Sequence, residues 1–216
     1  YAYGYIAYQI AYLKAHYPVE YFSALLTSVK TNLDKAAIYL NECRSMNIEV
    51  DVPDINLARS HFYPAQEDAD SKEFTQISFG LSAVRNVGEN LVNRILKERD
   101  LNGPFLDFYD FAERCDSTVL NKRSVESLIK AGSFDSFGYP RQGLLAASES
   151  IIDHTLARRR EHEMGVMSLF GESDEGPVFD ERESILDIEF DKMTRLAFEK
   201  EMLGLYISDH PLKGIE

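Results

Sequence analysis

Between residues 79 and 137 the chain repeats one arrangement twice: a short apolar run at helical spacing, a glycine, and a second helical run. No other feature narrows the fold as much. Helical periodicity interrupted by glycine after so few residues predicts a tight hairpin of two helices. In the first unit Leu81, Val84 and Val87 precede Gly88, and Leu91, Val92, Ile95 and Leu96 follow it. Asn86, Val87 and Gly88 are therefore expected to make the turn, with Asn86 and Gly88 both able to adopt positive φ. In the second unit Leu120, Asn121, Lys122 and Arg123 lead into Val125, Leu128 and Ile129. Gly132 then stands where a helix C-cap favours glycine, and helix resumes after Tyr139 and Pro140 with Leu144, Leu145 and Ala146.

Hairpins of this kind have a chemistry of their own. The first N–H groups of a helix have no partner within it, and together with the helix dipole they suit a phosphate oxygen while reading no base. Glu89 agrees with the dipole but would repel a phosphate it faced, so it is expected to point away. Lys122 and Arg123 oppose the dipole at the start of their helix, which favours an anionic partner for them. A pair of α-hairpins that merely pack together would explain either unit alone. Two in tandem, with basic residues at the second, point to duplex DNA, and the expected contact set is Asn86, Val87, Gly88, Lys122 and Arg123.

Charge limits how strong such a contact is. The net charge is −13, yet residues 80–145 carry nine basic and nine acidic side chains, whereas residues 146–216 carry eight and seventeen. A neutral module binds DNA modestly and salt-sensitively, because affinity scales with the phosphates neutralised. It works best where something larger already holds the DNA. At 44% hydrophobic the chain has material for a sizeable core, in one large domain or two small ones. No apolar run approaches the roughly 18 residues of a membrane span, and no export signal opens the chain, so a cytoplasmic location is expected. Cys43 and Cys115 lack the spacing of a metal site or disulfide framework and are expected to be buried, reduced thiols.

The periodicity predicts two helices over residues 1–28, the second opened by Pro18, and a third from Asn32 to Met46 and Asn47. Residues 48–55 are expected to be extended, with Pro53 confining them to an edge or loop. Residues 60–78 suggest a hairpin or loop, with a domain boundary near residue 60. A charged helix is expected over 148–163, including Arg158, Arg159 and Arg160, then an acidic linker over 171–183. A helix over 191–203 and a strand over 205–208 complete the pattern. The fold class is mainly α, with short β segments.

Two further groups bear on function. Asp187, Glu189 and Asp191 share one side of an extended stretch, and paired carboxylates can hold magnesium. Their acidic flanks favour a solvated linker, so no metal is assigned. His154 and His162 have no third ligand spaced to join them. Leu169 and Phe170, adjacent and apolar in a polar stretch bounded by Gly165 and Gly171, suggest an interaction site.

Four stretches together resemble one family. Residues 7–28 (AYQIAYLKAHYPVEYFSALLTS), 42–56 (ECRSMNIEVDVPDIN), the hairpins (FGLSAVRNVGENLVNRI and LNKRSVESLIKAGSFDSFG) and 198–212 (FEKEMLGLYISDHPL) are similar to the bacterial C-family replicative DNA polymerases, the alpha subunits of polymerase III. The resemblance runs in order over nearly the whole chain. It implies the C-terminal end of a fingers domain over 1–60 and a helix-hairpin-helix and clamp-binding domain over 61–190. Within the latter, the paired hairpins would occupy 79–150 and the clamp peptide and acidic linker 164–183. From 191 a helix and strand would lead towards an OB-fold. The family's catalytic aspartates belong to a palm domain ahead of this region. The expectation is thus an internal segment with no catalytic residue and no cofactor of its own, magnesium belonging to the parent DNA-directed DNA polymerase.

By the same resemblance the clamp-binding peptide is Val166, Met167, Ser168, Leu169 and Phe170, with Leu169 and Phe170 as anchors. The family pattern has glutamine where this chain has Val166. The hydrogen bond forgone is worth about 0.5–1.5 kcal/mol, so binding should be weakened and not abolished. The implied partners are double-stranded DNA, the sliding clamp and the remaining polymerase III holoenzyme subunits, with no membrane. Two alternatives stay open: the error-prone branch of the family, in which the clamp peptide is commonly degraded, and a stand-alone helix-hairpin-helix scaffold.

Overall fold

A computed structural model describes residues 1–66, 74–163, 184–204 and 206–208. The described part is mainly α, with one small sheet. Pro18 separates α1 (Ala2–His16) from α2 (Pro18–Ser28) and occupies the first position of α2, where its missing N–H costs nothing. The Asn32 side chain caps α3 (Leu33–Ser45), accepting from Lys35 N at 3.1 Å. Asn47 leaves that helix at φ +57°, a left-handed exit that asparagine tolerates.

β1 (Glu49–Asp51) lies at the edge of a three-stranded sheet, consistent with Pro53 just beyond it. It runs parallel to the central β3 (Gln76–Ser78), which pairs antiparallel with β2 (Tyr63–Ala65). Strands of three residues are not stable alone, so the sheet needs both sides of residue 60. Further bonds cross the same point. Ile55 N donates to Ser133 O at 2.9 Å, and the Asn56 amide both donates to and accepts from the Phe105 backbone at 2.8 Å. The sheet and the core therefore both extend across residue 60, near which a boundary was expected.

A single 3-10 turn (Leu81–Ala83) precedes α4 (Glu89–Asn102), followed by α5 (Phe108–Arg114) and α6 (Lys122–Ala131). After a second 3-10 turn (Asp135–Phe137) comes α7 (Arg141–Glu163), and α8 (Lys192–Leu203) follows the segment 184–191. Phe108, Phe111 and Phe134 form a buried cluster with centroids 5.1–6.0 Å apart. α7 is one continuous helix across residue 148, where the pattern suggested a fresh start. Ser148 Oγ donates to Leu145 O at 3.0 Å, satisfying the hydroxyl within the helix instead of ending it.

A buried ion pair ties the last elements together. Arg141, 4% exposed, donates to both oxygens of Asp135 and, at 3.0 Å, to Glu199, which is wholly buried. Burial works against the Arg141 charge, but the hydrogen bonds to Asp135 and the charges of Asp135 and Glu199 outweigh it and hold the guanidinium above its ordinary pKa. Gly132 makes room for this pair. Its φ is +87°, and a Cβ there would lie 2.3 Å from Arg141 Nη2. Glu199 also accepts from Ile207 N at 3.3 Å and Ser208 N at 3.1 Å. Residues 206–208 accordingly carry no strand, in contrast to the expectation for 205–208, since a buried carboxylate takes the N–H groups that a ladder would use.

Candidate nucleic-acid interface

The turn at residues 86–88 divides its labour differently from the sequence expectation. Asn86 alone takes positive φ, at +65°. Gly88 is the N-cap of α4 with extended backbone (φ −81°, ψ 149°). It is needed for openness, not for a left-handed turn. No atom comes within 4 Å of where its Cβ would stand, and no side chain caps the helix that begins there. Among the described residues the early N–H groups of α4 therefore have no side-chain cap, and the space beside Gly88 is open, an arrangement that suits an anion.

The residues before the helix hold this turn still. Asn86 Nδ2 donates to Ser127 Oγ at 3.1 Å, and Ser124 Oγ donates to Asn86 O at 3.0 Å. Both serines lie on α6, so the turn of the first hairpin is seated against the first helix of the second. Arg85 N donates to Met202 O at 3.0 Å, adding α8 as a third support. Val87, a member of the expected contact set, is 6% exposed; its side chain packs into the core and anchors the turn. The core contact is what forces Asn86 and Gly88 to the surface on either side of it.

The start of α6 is built differently. Asn121 caps it, accepting from Arg123 N at 3.0 Å and Ser124 N at 3.3 Å, so these N–H groups are already satisfied. Lys122 is not free either. Its ammonium donates to Glu149 at 2.6 Å and Asp153 at 2.9 Å on α7, and the hydrogen bond to Glu149 leads the causes that raise its pKa. The cation at this helix start, for which an external anion was expected, is met within the chain by these carboxylates. Arg123 is exposed, and among the described residues its guanidinium has no ion-pair partner. Arg85, which the sequence reading passed over although it adjoins the turn, is exposed in the same way.

Glu89 is drawn aside. Its carboxylate accepts from Lys30 Nζ at 2.9 Å and lies 3.6 Å from His61 Nε2. The bond to Lys30 holds its pKa below the usual carboxylate range. Lys30 and His61 are 59 and 28 residues away in sequence, and nothing in the local pattern joins them to this helix.

The remaining candidates resolve into structural roles or fall outside the described residues. Glu189 accepts from Arg141 N and Gln142 N at the start of α7, and Asp191 caps α8 through Thr194 N. These acids are spent on helix starts and do not fit a magnesium site; among the described residues no group of three metal-ligating side chains comes together. Cys43 and Cys115 are buried free thiols, each pushed up to about 12 chiefly by burial. No helix among the described residues is long and apolar enough to cross a membrane. Val166, Met167, Ser168, Leu169 and Phe170 lie outside the described residues.

Comparison with known proteins agrees with the hairpin geometry. The model of the helix-hairpin-helix motif matches residues 47–144. The DNA polymerase III subunit alpha of Mycobacterium tuberculosis is 43% identical over 99% of this chain and 18% of its own length. That of Thermus aquaticus is 41% identical over 98% and 16%, and that of Campylobacter jejuni 39% over 98% and 17%. The chain is thus homologous along almost all its length to DNA polymerase III alpha subunits, and it spans less than a fifth of the relatives it matches.

Proposed function

We propose that this chain acts as the helix-hairpin-helix segment of a bacterial DNA polymerase III alpha subunit and grips duplex DNA through its phosphates. The observation that carries this reading is the uncapped, uncovered start of α4 at Gly88. The N–H groups there would donate to one phosphate oxygen, with Asn86 and the two α6 serines fixing the turn and Arg123 and Arg85 adding positive charge beside it. No group in this set reads a base, so the grip follows the polymerase along any sequence.

In this reading template-directed synthesis and its magnesium belong to other parts of the polymerase, in the cytoplasm and with the remaining holoenzyme subunits, while these residues hold the product. Leu169 and Phe170 would add a second attachment by docking on the sliding clamp. Two weak attachments on one chain raise effective concentration and prolong residence on DNA. Val166 forgoes one hydrogen bond of that peptide and tunes the tether down.

The test is a titration of the full chain with duplexes of unrelated sequence over a range of salt, beside binding to purified sliding clamp. Equal affinity for all duplexes, falling steeply with salt, is expected; affinity indifferent to salt would remove the phosphate grip. Clamp binding should disappear when Leu169 and Phe170 are both changed to alanine, and a double variant that binds as well as the parent would dismiss the tether.

A further inference from the structure

We propose that Lys30 is a positioning residue for the DNA site: it holds the Glu89 carboxylate away from the start of α4 and so keeps that helix end open for phosphate. The inference rests on the phosphate reading of Gly88. Glu89 is the first residue of a helix whose N–H groups lack a cap. A carboxylate in the first turn is attracted by the dipole and can itself take such N–H groups. Left free, Glu89 would be the nearest anion to the site and would compete with DNA for it.

The structure supplies a seat for that carboxylate instead. The Lys30 ammonium donates to Glu89 Oε2 at 2.9 Å and to Ser82 Oγ at 3.2 Å, and stands 3.2 Å from His61 Nδ1. These account for its three donors. Ser82 Oγ is itself anchored, donating to Ser60 O at 2.5 Å. A His61 Nδ1 that accepts from Lys30 leaves the ring proton on Nε2, which faces Glu89 Oε1 at 3.6 Å. The Lys30 side chain is 17% exposed and comes from the connection after α2, so the seat is built from three separated parts of the chain. Among the described residues the polar contacts of the Glu89 carboxylate are with Lys30 and His61.

The experiment compares the parent with Lys30→Met, Glu89→Gln and the double variant, each as the full chain. Methionine keeps the packed stem while removing the ammonium. Lys30→Met is expected to lower duplex affinity about twofold to fivefold at low salt, and adding Glu89→Gln should restore it. NMR of the amides of Asn90 and Leu91 without DNA should show a shift in Lys30→Met that the double variant lacks. If Glu89→Gln restores nothing, Lys30 is itself a phosphate ligand and the inference is overturned. Unaltered affinity and amides in Lys30→Met would overturn it as well. A parent that binds no duplex overturns the phosphate reading and this inference with it, and is distinguished by the failure of the unmodified chain.

Discussion

Asn86 shows how much a single residue contributes to this surface. Its backbone occupies the left-handed region at φ +65°, its amide bonds Ser127, and its carbonyl accepts from Ser124. Asn86→Val would force a β-branched residue into positive φ, costing roughly 1–2 kcal/mol, and remove a side-chain hydrogen bond worth about 1 kcal/mol. Urea unfolding is expected to show a loss of about 2–3 kcal/mol together with weaker DNA binding. Asn86→Gly should recover the backbone term and leave only the smaller loss. That an asparagine–valine–glycine stretch turns here was legible from the pattern. Which residue bears the positive φ was not, because it depends on α6 serines 38 and 41 positions away.

At the scale of elements, the two helix starts differ, α4 having no side-chain cap and α6 being capped by Asn121. Serine at Gly88 has room for its Cβ and a hydroxyl able to cap α4. Gly88→Ser is therefore expected to raise stability by a few tenths of a kcal/mol while lowering duplex affinity, since the new cap occupies the N–H groups that phosphate would use. Thermal unfolding and a duplex titration on one preparation check both signs; gain or loss of the two together would contradict the open-site account. At α6 the basic pair separates. Arg123→Ala should reduce the salt slope of DNA binding by about one, whereas Lys122→Ala should alter it little because Glu149 and Asp153 already neutralise that ammonium. Equal slopes for the two variants would show that the α7 carboxylates yield to DNA. Helix starts, the Pro18 break and the Gly132 stop were readable because each depends on neighbouring residues. The continuity of α7 was not, since Ser148 reads as polar until its hydroxyl is seen bonded to Leu145 O.

For the molecule as a whole, the second hairpin, α7, α8 and residues 207–208 converge on one buried pair. Arg141→Met would leave the Glu199 carboxyl at 0% exposure with, among the described residues, only the N–H groups of Ile207 and Ser208 and the Ser208 hydroxyl as partners. Breaking such a pair costs about 3–5 kcal/mol, while replacing both members with apolar residues is far milder. Chemical denaturation should thus show a large loss for Arg141→Met and substantial recovery when Glu199→Leu is added. A double variant as unstable as the single one would show that Glu199 matters mainly for residues 207–208.

The sequence by itself determined most of the helices, the Pro18 break, the Gly132 stop and the resemblance to polymerase alpha subunits, because periodicity, caps and turn residues act over a few positions; α5 and the continuity of α7 were not among them. Only the tertiary structure decided which of the expected contacts remain available. It buried Val87, occupied Lys122 with α7, capped α6 with Asn121, left α4 open at Gly88 and brought Lys30 to Glu89. It also carried β1 across residue 60 to pair with β3. The seats of Lys122 and Glu89 and the pairing of β1 rest on partners distant in sequence, where local pattern holds no information and packing and charge pairing select the arrangement.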